Sequence, residues 1–319
     1  NYLTLESITQ PKVFDRCMFG HYSFGVTNSQ ILQQAVLETL AYSDVFDYPL
    51  TFDELHRYLT ASAPPADLAA CLSDMSVVAT ENGFYFLAAR HEIVRTRMGR
   101  EQASRAAFQR ACWYGAILGS LPFVRMVTLT GSLAMLNLNH DADMDYMLVT
   151  QPGRLWLARA FAVLFGRLMR IFGDRICVNL LVSESALEWH PRDLYSAREM
   201  CQMIPLTGLD VYQRLRAANT WTKSFLPNAD SAPALTPEVK STSVFQQWLE
   251  IPLRGKLGDA LEGWSMNLQL KKIMHTYGTG IEANFSADLC QGNFHDHRRG
   301  TENSFNERLA LLSEGEPHA

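Results

Sequence analysis

Asp143 and Asp145 stand two residues apart at the head of the apolar run Tyr146-Met147-Leu148-Val149. Alternate side chains of a β-strand share a face, so the two carboxylates project together while Met144 and Tyr146 point the other way. Like charges held that close repel unless a cation neutralises them. A hard divalent ion, Mg²⁺ (or Mn²⁺), takes carboxylate oxygens and completes its shell with water and substrate phosphates, which makes a polyphosphate the natural third party. Upstream, Gly131-Ser132 joins the strand-like run Val124-Arg125-Met126-Val127-Thr128-Leu129-Thr130 to the helical start Ser132-Leu133-Ala134-Met135-Leu136. A small-residue turn at a helix start presents backbone N–H groups and a hydroxyl to an anion.

The order strand, Gly-Ser, short helix, Asp-x-Asp strand resembles the DNA polymerase β-type nucleotidyltransferase superfamily, over roughly residues 120–185. The resemblance implies that Gly131 and Ser132 hold the outer phosphates of a nucleoside triphosphate (NTP) and that Asp143 and Asp145 bind the metal ions. It also implies attack on the α-phosphorus with release of pyrophosphate, and a third carboxylate on a later strand. On the candidate strand, Arg175 to Val182, the central polar residue is Asn179. An amide oxygen can ligate a metal, but an amide brings no charge and accepts no proton at neutral pH. Asp174 and Glu184 flank that strand as substitutes. Three functions therefore stand open: an active nucleotidyltransferase, a protein that binds or senses nucleotide without transfer, and a DNA-binding regulator that uses a winged-helix-like part. A plainer reading also stands, in which Asn139-His140-Asp141-Ala142-Asp143 is only a polar loop and Asp141 a turn residue.

Around this core the pattern predicts an α+β protein: a nucleotidyltransferase core, a small mixed sheet with flanking helices, with other modules on either side. Residues 1–30 read as an N-terminal arm, and 31–90 as a winged-helix-like domain. The latter has helices from Ser29, from Phe52 behind the cap Thr51, and from Ala66 to Ser76, then a hairpin turning at Asn82-Gly83. A winged helix would suit DNA, yet the third helix carries no Arg or Lys to meet phosphates, which favours a structural or protein-contact role. Residues 91–226 hold the core and its flanking helices, including an arginine-rich helix from about His91 to Leu118, the apolar helix Leu155 to Phe172, a helix from Arg192 to Met203 and another from Leu206 to Leu226. A proline-containing linker over 227–240 leads into a C-terminal helical region, 241–319.

The chain has 319 residues, 47% of them hydrophobic, enough for sizeable cores, and its net charge of −5 gives no global pull toward nucleic acid. A small molecule or a protein side chain is accordingly the preferred acceptor. The cysteines, Cys17, Cys71, Cys112, Cys177, Cys201 and Cys290, show no metal-ligand spacing and read as reduced residues of a cytoplasmic protein. Arg159, Arg167 and Arg170 within the most apolar stretch argue against a membrane span, no signal peptide is evident, and Asn1 suggests a processed or trimmed start. His295-Asp296-His297 has two histidines in metal-ligand alternation but no second pair, and reads as a surface loop, or as a segment that brings His297, Arg298 and Arg299 to a phosphate.

Overall fold

A computed structural model of the chain describes residues 27–139, 143–230, 244–277, 282–293 and 297–314. The predicted arm before Thr27, Cys17, Asp141, His295, Asp296 and most of the predicted linker lie outside the described residues.

The N-terminal part runs α1 (Asn28–Asp44), β1 (Leu50–Thr51), α2 (Phe52–Tyr58), α3 (Pro65–Ser73), β2 (Val78–Glu81) and β3 (Phe84–Leu87), with the strands in the antiparallel order β1-β3-β2. Local chemistry accounts for these elements. Thr27 with Gln30, and Thr51 with Glu54, form reciprocal capping boxes that start α1 and α2. Asn82 and Gly83 both take positive φ, the conformation a tight hairpin turn demands. Glu54 also receives Arg97 at 2.7 and 2.9 Å, and the Arg97 guanidinium stacks on the rings of Tyr48 and Phe84. Arg97 belongs to α4 (Glu92–Gly119), the long helix that leads into the second sheet.

That sheet has the mixed order β7-β4-β5-β6-β9-β8, built from β4 (Val124–Thr130), β5 (Met144–Thr150), β6 (Ile176–Ser183), β7 (Ile204–Thr207), β8 (Glu282–Phe285) and β9 (Leu289–Asn293). Only β5 and β6 run parallel, joined through α6 (Leu155–Arg170); every other pair is antiparallel. The short helix α5 (Gly131–Ala134) links β4 to β5. Helices α7 (Leu194–Gln202) and α8 (Leu209–Ala218) flank β7, and α9 (Val244–Glu250), α10 (Lys256–Tyr277) and α11 (His297–Glu314) follow.

The alternation along β5 sorts its side chains between two cores. Met144, Tyr146 and Leu148 join Ala107, Ala111, Tyr114 and Leu118 of α4 and Trp156, Ala158 and Ala162 of α6. Met147 and Val149 face the other side, with Met200 and Met203 of the α7 segment and Val211 and Leu215 of α8. Glu262 of α10 caps α6 by accepting from the N–H groups of Trp156 and Leu157 at 2.7 and 2.9 Å.

Two expectations change. Leu206 to Leu226 is not one helix: Ile204–Thr207 is strand β7, buried at every position and so without the alternation that marks a half-exposed strand, and the helical part is α8 followed by a 3₁₀ turn, Thr220–Ser224. The C-terminal region is not wholly helical, because β8 and β9 form a hairpin that pairs with β6 through Leu180, Leu181 and Val182.

Candidate functional site

The site lies where β4 ends and β5 begins. Thr130 is paired with Asp145, so the turn at Gly131 comes directly beside that aspartate. Gly131 has φ +64°, and a Cβ there would stand 2.6 Å from Oδ2 of Asp145. Only a residue without a side chain tolerates both the left-handed backbone and that close approach. Ser132 follows, half-buried at the start of α5, and its carbonyl accepts from the N–H groups of Met135 and Asn137. Leu133 and Ala134 turn inward and fasten the short helix to the core.

Asp143 immediately precedes β5 and Asp145 is its second residue, so the expected alternation holds. Their surroundings differ. Asp143 is 43% exposed and lies 4.0 Å from the guanidinium of Arg175. Asp145 is more enclosed, and among the described residues it has no ion-pair partner. Its Oδ1 accepts a hydrogen bond from Nδ2 of Asn179 at 2.8 Å. Burial pushes its carboxyl up to about 6, the Asn179 hydrogen bond partly offsets this, and the charge of Asp143 adds to it.

Asn179 comes to Asp145 by alternation: Asp145 pairs with Cys177 across the parallel strands, and Asn179 lies two residues further along on the same face. Tyr146 pairs with Val178 but Met147 pairs with Leu180, leaving Asn179 as the extra residue of a bulge. Leu180 keeps its place beside the Met147 cluster while Asn179 turns to the aspartate. The amide is used at both ends: its oxygen accepts from the thiol of Cys177 while its nitrogen donates to Asp145. Burial, and then the charges of Asp145 and Asp143, push the Cys177 thiol up to about 12, so the sulfur stays protonated and able to donate. Held this way, Asn179 acts on Asp145 as a hydrogen-bond donor.

Neither flanking acid joins the pair. Asp174 accepts from the Tyr114 hydroxyl at 2.5 Å and from Arg110 at 3.2 Å, both on α4, which covers the opposite face of the sheet. Glu184 lies past the far end of β6 and is paired with Arg214 of α8. The arginines of α4 are largely committed as well: Arg97 to Glu54, Arg100 to Asp47 and Asn137, Arg105 to Glu101, and Arg110 to Asp174. In α11, Arg298 pairs with Asp193, the residue that caps α7.

One carboxylate reaches the neighbourhood from an element that the resemblance does not include. Glu199 of α7 is pushed up to about 7 by burial and then by the charge of Asp145, against the opposing charge of Arg198. Nothing in its local sequence marks it. Its signal is tertiary, for it shares α7 with Met200, which together with Met203 just past the helix covers the β5 face bearing Asp145.

The donors suit a hard cation. Asp143 and Asp145 offer carboxylate oxygens from one face, and the enclosed Asp145 is held by a single neutral donor, so a divalent ion would supply the missing counter-charge. Among the described residues no three His, Cys, Asp or Glu side chains gather into a metal-holding group. No helix among them is long and apolar enough to cross a membrane. Comparison of the chain with protein-family models, with curated proteins and with solved structures gave no match.

Proposed function

We propose that the chain is a metal-dependent nucleotidyltransferase that moves a nucleoside monophosphate from an NTP to a small-molecule or protein acceptor, with release of pyrophosphate. The observation that carries this reading is the joint placement of Gly131 and Asp145. A glycine that leaves its backbone open lies directly against an enclosed aspartate, with Ser132 and Asp143 beside it. The Gly131-Ser132 turn would hold the outer phosphates through backbone N–H groups and the Ser132 hydroxyl. Asp143 and Asp145 would hold Mg²⁺ (or Mn²⁺), which when bound supplies positive charge to the phosphate oxygens on both sides of an in-line displacement. Asn179 keeps the Asp145 carboxylate turned toward the turn.

The N-terminal part supports a winged-helix-like module in a structural or protein-contact role. Its three helices and the β2–β3 hairpin follow in the expected order, with the short strand β1 added beside β3, but the solvent side of α3 presents Ala66, Asp67, Ala69, Ala70 and Ser73. Such a face has no positive charge with which to meet a phosphate backbone. It also shares a core with the rest of the chain, since Ala35, Val36 and Leu40 cluster with Ala197 and Cys201 of α7.

A second reading is a nucleotide-binding protein that transfers nothing, favoured by the amide of Asn179 where the resemblance calls for a carboxylate. One pair of measurements separates the two. Calorimetric titration of each NTP with Mg²⁺ into wild type, Asp143→Asn and Asp145→Asn is expected to show binding that both variants lose. A pyrophosphate assay on the bound nucleotide then distinguishes enzyme from binder. Full metal-dependent turnover by both variants would refute the transfer mechanism.

A further inference from the structure

Along the run Ser196 to Cys201 of α7 every residue is buried except Glu199, which is half-buried. Its neighbours explain how it is aimed. Arg198 plunges the other way into the N-terminal module, its guanidinium stacked on the rings of Tyr42 and Tyr58 and donating to Oγ of Ser43 at 2.7 Å. Met200 and Met203 seat the helix on Met147 and Val149, the residues that continue the Asp143–Asp145 face along β5. Helix α7 also packs against α5, which carries Gly131 and Ser132. At its first turn the Asp193 side chain accepts from the Ser196 N–H at 2.7 Å and pairs with Arg298 of α11 at 3.1 Å. The helix is thus pinned on several sides, and Glu199, one helical turn before Met203, lies on the side that meets the Asp143–Asp145 face of β5, where it feels the charge of Asp145. Among the described residues the Glu199 carboxylate has no hydrogen-bond or ion-pair partner.

We infer that Glu199 is the proton acceptor of the transfer reaction, a role that the amide of Asn179 cannot fill. This inference rests on the nucleotidyl-transfer reading. In the step, the acceptor's hydroxyl oxygen forms a bond to the α-phosphorus and its proton passes to the Glu199 carboxylate. The bond from the α-phosphorus to the bridging oxygen breaks, and pyrophosphate leaves with that electron pair. Glu199 does not gather with Asp143 and Asp145 into one metal-holding group. A base that stands off from the metal ligands leaves room for the attacking hydroxyl between them. Tethering α7 through Arg198 would also make the N-terminal module part of the positioning of the base.

The test compares wild type, Glu199→Gln, Glu199→Ala and Asp145→Asn, using Mg²⁺ with each NTP and water, glycerol and hydroxylamine as nucleophiles. Calorimetry reads triphosphate affinity, and a pyrophosphate assay reads turnover. Glu199→Gln is expected to bind triphosphate with affinity close to wild type, which also shows that it is folded, while turnover falls by about 100-fold or more, the usual range for loss of a general base. Added formate is expected to restore part of the turnover of Glu199→Ala, which a structural defect would not permit. Wild-type turnover by Glu199→Gln would overturn the inference and leave the transferase reading standing. Triphosphate binding by wild type without pyrophosphate release to any nucleophile would overturn it too, leaving a nucleotide-binding protein. If wild type bound no triphosphate, or Asp145→Asn bound as tightly, the underlying reading would fail and the inference with it.

Discussion

The side-chain amide of Asn179 donates to Oδ1 of Asp145 at 2.8 Å, across two parallel strands whose register slips at that point. Exchanging this amide for a carboxylate would put a second negative charge against an enclosed one. Asn179→Asp is therefore expected to destabilise the metal-free protein by about 2–4 kcal/mol, through a lost hydrogen bond and an added buried repulsion. Mg²⁺ should recover most of that loss. Thermal midpoints in chelator and in Mg²⁺ provide the check; a variant whose loss is the same in both would show that this position does not face a metal site.

Gly131→Ala tests the turn itself. The left-handed backbone costs a side-chain-bearing residue about 1–2 kcal/mol, and the added Cβ would meet Asp145 at 2.6 Å. The variant is expected to lose about 1–3 kcal/mol of stability by chemical denaturation, and to lose triphosphate binding. Wild-type binding by a folded Gly131→Ala protein would remove the turn from the site.

Acid and alkali should act on the site in a fixed direction. The carboxyls of Asp145, at about 6, and Glu199, at about 7, both titrate above their ordinary values. Between about pH 4 and pH 7 the folded chain thus holds more protons than the unfolded chain. The stability linked to these groups is complete below the unfolded values and is lost as the pH rises through the folded ones. Metal-free protein is expected to become less stable from about pH 4 to pH 7 on their account. Asp145→Asn, which removes one of the charges, should flatten the profile and gain about 1–3 kcal/mol near pH 8. Denaturation midpoints across that range decide it, and an unchanged slope in the variant would count against the burial of Asp145.

Glu250 offers a contrast away from the site. It is 1% exposed and accepts from the Phe123 N–H at 2.8 Å, from Arg125 at 2.7 Å and from Arg254 at 3.1 Å, binding α9 to the start of β4. Burial alone would raise its pKa, but these donors outweigh burial and hold it below the ordinary glutamate range. Glu250→Gln should cost about 2–4 kcal/mol by stranding Arg125. Triphosphate affinity of the folded fraction should not change, and a selective loss of affinity would place α9 closer to function than this account allows.

Local chemistry was legible in the chain by itself. The caps at Thr51 and Glu54, the turn at Asn82-Gly83, the glycine before Ser132 and the alternation of Asp143 and Asp145 each depend on neighbouring residues, and neighbours are what a sequence displays. Strand β7 and the β8–β9 hairpin escaped that reading. The first is buried on both faces, and the second is held in the sheet by pairing with β6, far away in the chain.

The site divides in the same way. Residue types and spacing determined that a glycine-serine turn and two carboxylates would lie close together, because a short helix and a strand leave them little choice. Tertiary structure alone decided the rest. The parallel pairing of β6 beside β5 sets Asn179 against Asp145, packing on α4 draws Asp174 to the opposite face, and the seating of Met200 and Met203 brings Glu199 into the field of Asp145. Those outcomes depend on which face of the sheet each helix covers, and that is a property of the assembled core, absent from any local stretch of the chain.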